Sequence, residues 1–176
     1  MDFDGLVDKY EKPIYNLIYR LVGDTEEAAD LTQETFVAAY RSFPTFRSES
    51  SIYTWLYRIA VNKCKNKFKQ MDKCRQYEGL SLDGDLLESD IPAASDSGPH
   101  ADPGTALQRK ELKEKIEQAI SRLPIDYRIV VVLRDLHGLS YLEIANAADI
   151  SVDIVKTRLA RARGMLRQKL GPYLSE

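Results

Sequence analysis

Cysteine occurs only twice in the 176 residues, at Cys64 and Cys74, and histidine only at His100 and His137. Two cysteines cannot build a disulfide framework, and two distant histidines suggest no metal cluster. On a basic helix both thiols are read by default as inert, with a redox role as the alternative. No apolar run approaches the ~20 residues that cross a bilayer. The opening MDFDGLVDKY is acidic and has no apolar signal stretch, so a cytoplasmic location is expected. The patterns GxGxxG, GxSxG, HExxH and the phosphate-loop GxxxxGK are missing, and the carboxylates form no evident catalytic pair. Neither an enzyme nor a cofactor is therefore expected. The alternation of Val, Ile and aromatics that marks strands is missing too. Val130-Val131-Val132 is β-branched but sits inside a longer helical pattern.

What is present is a globular composition, 44% apolar and 30% charged, with a net charge of only −2. The small total conceals segregation. Residues 1–37 sum to −6, 38–77 to +7, 78–105 to −7, 106–155 to −1 and 156–169 to +6. Two basic islands flanking an acidic segment suit a polyanion binder with two contact points.

The acidic segment GLSLDGDLLESDIPAASDSGPHADPGT is rich in Gly, Pro, Ser and Asp, with no sustained helical period. It reads as a flexible linker over 78–105, between one unit at 1–77 and another at 106–176. Both units read as helical, so the expected fold class is all-α, with two small domains. In the first, Leu6, Tyr10, Ile14, Leu17, Ile18 and Leu21 mark an amphipathic helix that Gly23-Asp24 stops. Asp24 caps a second helix, with Glu27 placed as in a capping box, and Pro44 ends it near Phe43. A long third helix is expected over about 51–73. In the second unit, helices are expected over about 106–122 and 126–136. Ser140 and Glu143 then frame a short capped helix, and Ser151 caps a last one that runs to about Lys169, before Gly171-Pro172.

A short helix, a tight turn and a longer basic helix form the arrangement that places a recognition helix in the major groove. On the last helix Val155, Leu159, Ala162 and Leu166 share the buried face. Thr157, Ala160, Arg161 and Gly164 point the opposite way, with Lys156, Arg158 and Arg163 on the flanks. Small residues beside one hydroxyl and one guanidinium can approach base edges, while the flanking cations suit phosphates. A solvated basic face is the default for an isolated helix. Six bases without an acid, after a capped turn, favour DNA. Asp153 lies near the groove side and argues slightly against it.

On the third helix Ile52, Trp55, Leu56 and Ile59 are expected to face inward. Arg58, Lys65 and Lys69, with Tyr57, Val61 and Phe68, are expected on the opposite face, and Asn62 and Asn66 at the edge. Cations interleaved with rings suit single-stranded nucleic acid, although plain solubility would also explain the lysines, and Trp55 and Phe43 read better as core. On the second helix Asp30, Glu34 and Arg41 share a polar face edged by Glu26, Gln33 and Val37. A solvated face is the default there, and an acidic face cannot bind DNA.

The string DLTQETFVAAYRSFPTFRSESSIYTWLYRIAVNKCKNKFK (30–69) closely resembles region 2 of bacterial sigma factors of the extracytoplasmic-function group. The string LPIDYRIVVVLRDLHGLSYLEIANAADISVDIVKTRLARARGMLRQKL (123–170) is similar to region 4 of the same group, in the same order and spacing. The resemblance implies a factor that binds core RNA polymerase and directs initiation at particular promoters. It implies that Asp30, Gln33 and Glu34 dock on the clamp helices of the largest polymerase subunit, and that the second unit meets the flap of the second-largest. Phe46, Ser48, Glu49, Ser50 and Ser51 match the loop that receives a base flipped from the minus-ten element. Asn62 and Asn66 match positions near that base, and Arg58 and Lys65 would hold the strand backbone. Lys156, Thr157, Arg158, Ala160, Arg161 and, flanking them, Arg163 match the helix that reads the minus-thirty-five element. The acidic linker would run through polymerase toward the active-site cleft. Members are often held inactive by an anti-sigma protein covering both DNA-binding units, which makes such a protein a candidate partner. Many members carry a further helix before the one that begins here, so core affinity is expected to differ from theirs. The competing class is a stand-alone helix-turn-helix regulator, but neither a ligand pocket nor a dimerisation stripe supports it.

Overall fold

The computed structural model describes residues 3–46, 50–77 and 103–174. Helix α1 (Phe3–Val22) buries the six residues whose spacing predicts its inner face, five of them with no exposed surface. Burying each Leu or Ile is worth about 1.5–3 kcal/mol, which outweighs the intrinsic cost of Pro13 within the helix. Gly23 ends α1 at φ 80°, its N–H donating to the Tyr19 carbonyl at 2.8 Å. Asp24 then caps α2 (Thr25–Ser42), its carboxylate accepting the Glu27 N–H at 2.8 Å. The buried Thr32 and Thr35 hydroxyls donate to carbonyls one turn back, so neither is left unsatisfied. Pro44 converts the chain to a 3₁₀ turn (Phe43–Thr45). Helix α3 (Ile52–Tyr77) starts where the Ser51 hydroxyl accepts the Thr54 N–H at 3.1 Å.

The second unit opens with α4 (Pro103–Ser121), three residues earlier than the sequence pattern suggests. Proline serves well as a first helical residue because the N–H it lacks would have had no partner. The expected single helix over 126–136 is α5 (Ile125–Val131) followed by a π-helical turn (Val132–Leu136). The wide turn closes with the His137 N–H on the Val132 carbonyl at 3.1 Å, and Gly138 leaves it at φ 70°. Helix α6 (Tyr141–Ala148) has both halves of the Ser140–Glu143 capping box, at 3.2 and 2.8 Å. Asp149 ends it in the left-handed region, at φ 57° and ψ 51°. Helix α7 (Val152–Leu174) does not stop before Gly171-Pro172 as expected. Its end lies against α4, where the Lys115 ammonium sits 5.1 Å from the Tyr173 ring centroid, and a proline this near a helix end removes a single bond.

All secondary structure among the described residues is helical or turn, and no described helix is long and apolar enough to cross a membrane. The linker over 78–105 lies almost wholly outside the described residues.

The two units are not held apart. Helix α6 packs on α3, and α5 and the π turn reach α1, so one apolar core runs through both. This corrects the expected orientation of α3. Leu56 is buried as expected, but Ile52, Trp55 and Ile59 are only half-buried. Tyr57 and Val61, expected outside, are fully buried. The contacts of Tyr57 and Phe68 show what covers that side. The Tyr57 hydroxyl is 2.9 Å from His137 Nδ1, and Phe68 lies under the Arg128 guanidinium at 5.6 Å. A period reading finds the apolar stripe but cannot tell that a second unit is waiting to cover it.

Candidate nucleic-acid interface

Three groups of site residues can be placed. On α7, Val155, Leu159 and Ala162 anchor the helix in the core, and Leu166 is half-buried. This turns Lys156, Thr157, Ala160, Arg161 and Arg163 outward. The flanking cations differ in availability. Arg158 pairs with Asp126 at 3.3 Å and Arg163 with Asp135 at 2.6 Å, while Lys156 is a loose 3.9 Å from Asp153. Arg161 pairs with no carboxylate among the described residues. It lines a groove with Thr157, Ile154 and Arg158 on one wall and Pro124–Tyr127 on the other. The Thr157 hydroxyl donates to the Asp153 carbonyl at 2.9 Å, leaving its oxygen free to accept.

Around α3, the exposed side carries Arg58, Asn62 and Asn66, with Lys65 half-buried beside them. Phe46 leans on Trp55, with ring centroids 5.0 Å apart, and Phe43 lies on the same indole at 6.4 Å. Trp55 is thus packed against two phenyl rings and is not a free stacking platform. Ser50 is half-buried and Ser51 caps α3, whereas Ser48 and Glu49 lie outside the described residues. On this face the two cations are engaged. Arg58 reaches the Asp149 carboxylate at 3.3 Å, and the Lys65 ammonium donates to the Ala148 carbonyl at 2.6 Å. Burial lowers the Lys65 pKa, with Arg158 and Lys69 acting the same way against Asp126 and Asp149.

On α2, Asp30, Gln33 and Glu34 are exposed and line one groove with Val37, Ala38, Arg41 and Lys63. Lys63 ties Glu34 to α3 at 3.1 Å, and Lys67 does the same for Glu27 at 2.6 Å. Two lysines of the run on α3 therefore brace the acidic helix while staying partly exposed. Val37 and Tyr40 are 50% and 65% exposed beside the acids. The surface is a rim of mixed charge, Asp30 and Glu34 with Arg41 and Lys63, beside apolar side chains, which fits a protein partner better than a nucleic acid.

Residues 6–73 match the family model for sigma-70 region 2, and residues 113–166 match that for sigma-70 region 4. The chain belongs to the sigma-70 family. Among similar proteins, the RNA polymerase sigma-H factor of Pseudomonas aeruginosa is 39% identical over 99% of this chain and 89% of its own length. The ECF RNA polymerase sigma-E factor of Escherichia coli K12 is 35% identical over 98% and 88%. The sigma factor RpoE of Bartonella quintana, solved with the anti-sigma factor NepR, shares the fold at a TM-score of 0.72, with 24% identity over 97% of both chains. This sigma factor is accordingly of the extracytoplasmic-function type. It acts in promoter-specific initiation with core RNA polymerase on promoter DNA, and it is an initiation factor rather than an enzyme.

Sequence reasoning missed the residues that join regions 2 and 4 of the sigma factor. Arg128 is 7% exposed and donates to the Leu21 carbonyl at the end of α1 and to the Ser121 and Leu123 carbonyls at the end of α4. Among the described residues no carboxylate pairs with it; the negative ends of two helices neutralise it. Burial lowers the guanidinium to about 10, so it stays protonated at neutral pH, and its Nε has no hydrogen-bond partner. Arg20 and Glu117 add an ion pair across the same boundary at 3.1 Å. An arginine in the apolar run IDYRIVVVL was the available signal, since a buried cation requires special partners.

Proposed function

We propose that the three surfaces divide the work of initiation. The α2 groove of Asp30, Gln33 and Glu34 docks on the clamp helices of the largest polymerase subunit, Val37 and Tyr40 supplying apolar contact. Region 4 meets the flap of the second-largest subunit and presents α7 to the minus-thirty-five element. Thr157, Ala160 and Arg161 face the base edges, and Lys156, Arg158 and Arg163 face the phosphates. Region 2 traps the melted minus-ten strand. Arg58 and Lys65 hold its backbone, Asn62 and Asn66 face the bases, and the loop from Phe46 through Ser48, Glu49, Ser50 and Ser51 takes the flipped base. Trapping shifts the duplex toward the open state because only that state fits the loop. Work on DNA-bound polymerase supports reading the protein as cytoplasmic.

The observation that carries this reading is the exposed Arg161, unpaired on the groove side of a helix whose opposite face is locked into the core. Transcription from a promoter library with purified core polymerase tests it. The wild-type protein selects a defined upstream element, and Arg161→Ala blurs that preference by about 1–3 kcal/mol at one position. An unchanged preference refutes the assignment of α7.

A further inference from the structure

One charge on α7 has the wrong sign for a surface that meets phosphates. Asp153 stands in the first turn of the helix, two residues after Ser151, whose hydroxyl accepts the Ile154 N–H at 3.3 Å. At about 100° per residue it falls in the middle of the face opposite Val155, Leu159 and Ala162, in line with Thr157, Ala160 and Gly164. It lines the same groove as Thr157 and Arg161. Its side chain is 94% exposed, and the Lys156 ammonium stands off at 3.9 Å. Two other acids beside α7 are firmly engaged, Asp126 by Arg158 at 3.3 Å and Asp135 by Arg163 at 2.6 Å. Asp153 is thus a carboxylate with acceptor capacity to spare, at the end of the helix that a helix-turn-helix unit places against base edges.

We propose that Asp153 is a specificity-determining residue of the upstream contact: its carboxylate accepts a hydrogen bond from the exocyclic amine of a cytosine in the major groove. The proposal rests on the reading of α7 as the helix that meets the minus-thirty-five element. In the major groove cytosine presents a donor, adenine a donor beside an acceptor, and guanine and thymine only acceptors. A carboxylate accepts from the first and repels the last two, so cytosine ranks first, adenine second, and guanine and thymine last. The charge that weakens backbone contact therefore acts against wrong bases. Arg161, a guanidinium, has the opposite preference and favours guanine. The two side chains are eight residues apart, about 12 Å along the helix. At about 3.4 Å per base pair that span covers at most about four pairs. The cytosine lies within that window of the position that Arg161→Ala blurs.

A promoter is first selected by the wild-type protein with core polymerase, and its upstream element is then randomised again. Templates transcribed with the wild type, Asp153→Asn, Asp153→Ala and Arg161→Ala are sequenced. The wild type should favour cytosine over guanine by at least about fivefold at one position in the window, and both Asp153 variants should lose that preference. Asp153→Asn should move it toward adenine, whose N6 and N7 an amide can bracket. A wild-type selection without such a cytosine, or Asp153 variants that keep it, overturns the proposal. A change equal for all four bases overturns it too, and leaves Asp153 as a charge that only supports the helix dipole.

If the variants lose helix content by circular dichroism, the wild type decides. N4-methylcytosine at the selected position keeps the base pair but replaces the amine hydrogen in the major groove. It should cut transcription at least about fivefold, and equal transcription refutes the contact. If Arg161→Ala also leaves every preference unchanged, the reading of α7 itself has failed. If Arg161→Ala blurs its own position while the Asp153 variants change nothing, that reading stands and the proposal alone falls.

Discussion

His137 gives the join between the two regions a pH dependence that can be worked through. Its half-buried ring lies against the Tyr57 hydroxyl, and partial burial pushes its pKa from 6.5 down to about 4, with the nearby Arg20 charge adding in the same direction. The fold therefore prefers neutral imidazole. Above about pH 6.5 neither the folded nor the unfolded ring binds a proton, and the contribution is complete. As the pH falls the unfolded chain takes up a proton that the folded chain refuses. Stability is lost progressively until about pH 4, where the folded ring titrates as well. At about pH 5 the two values correspond to a loss of about 2 kcal/mol, and the ring's partial exposure halves this to about 1 kcal/mol. Urea unfolding of the wild type and of His137→Gln across this range isolates the effect from the carboxylates, which both proteins share. The wild type should lose about 1 kcal/mol more than the variant between about pH 7 and 5. Parallel curves for the two proteins would refute the argument, because they would mean that the ring protonates freely in the fold.

Two further outcomes follow from the local geometry. Ser140→Ala removes the hydroxyl that accepts the Glu143 N–H and should destabilise region 4 by about 1 kcal/mol in thermal melts, with more rapid hydrogen exchange in the first turn of α6. Gln33→Ala with Glu34→Ala should reduce co-purification with core polymerase while the melting temperature changes little. Both side chains are exposed, and the Glu34–Lys63 pair that is lost is worth at most about 1 kcal/mol.

How much of this could be read from the sequence varies with the range of the interaction. The α1 face, the Asp24 and Ser140 caps and the α7 anchor residues are local in origin. Each depends on spacing within one helix or on a side chain three residues from its partner, and the structure reproduces them, except that Leu166 is only half-buried and the Glu27 carboxylate pairs with Lys67. The orientation of α3 was misread because the helix has two apolar stripes of similar strength. One holds Leu56 and Ala60, and the other holds Tyr57, Val61 and Cys64, with Tyr57 meeting His137 of region 4. Choosing between them needs a contact 80 residues away, Tyr57 to His137. The π turn is equally nonlocal. Its extra width sets the direction in which His137 and Gly138 leave α5, and nothing in VLRDL announces it. On the site, the type and position of the charged residues were legible, but their partners were not. Arg158, Arg163, Lys63 and Lys67 all look like free cations in the sequence, yet each lies opposite a carboxylate from another element.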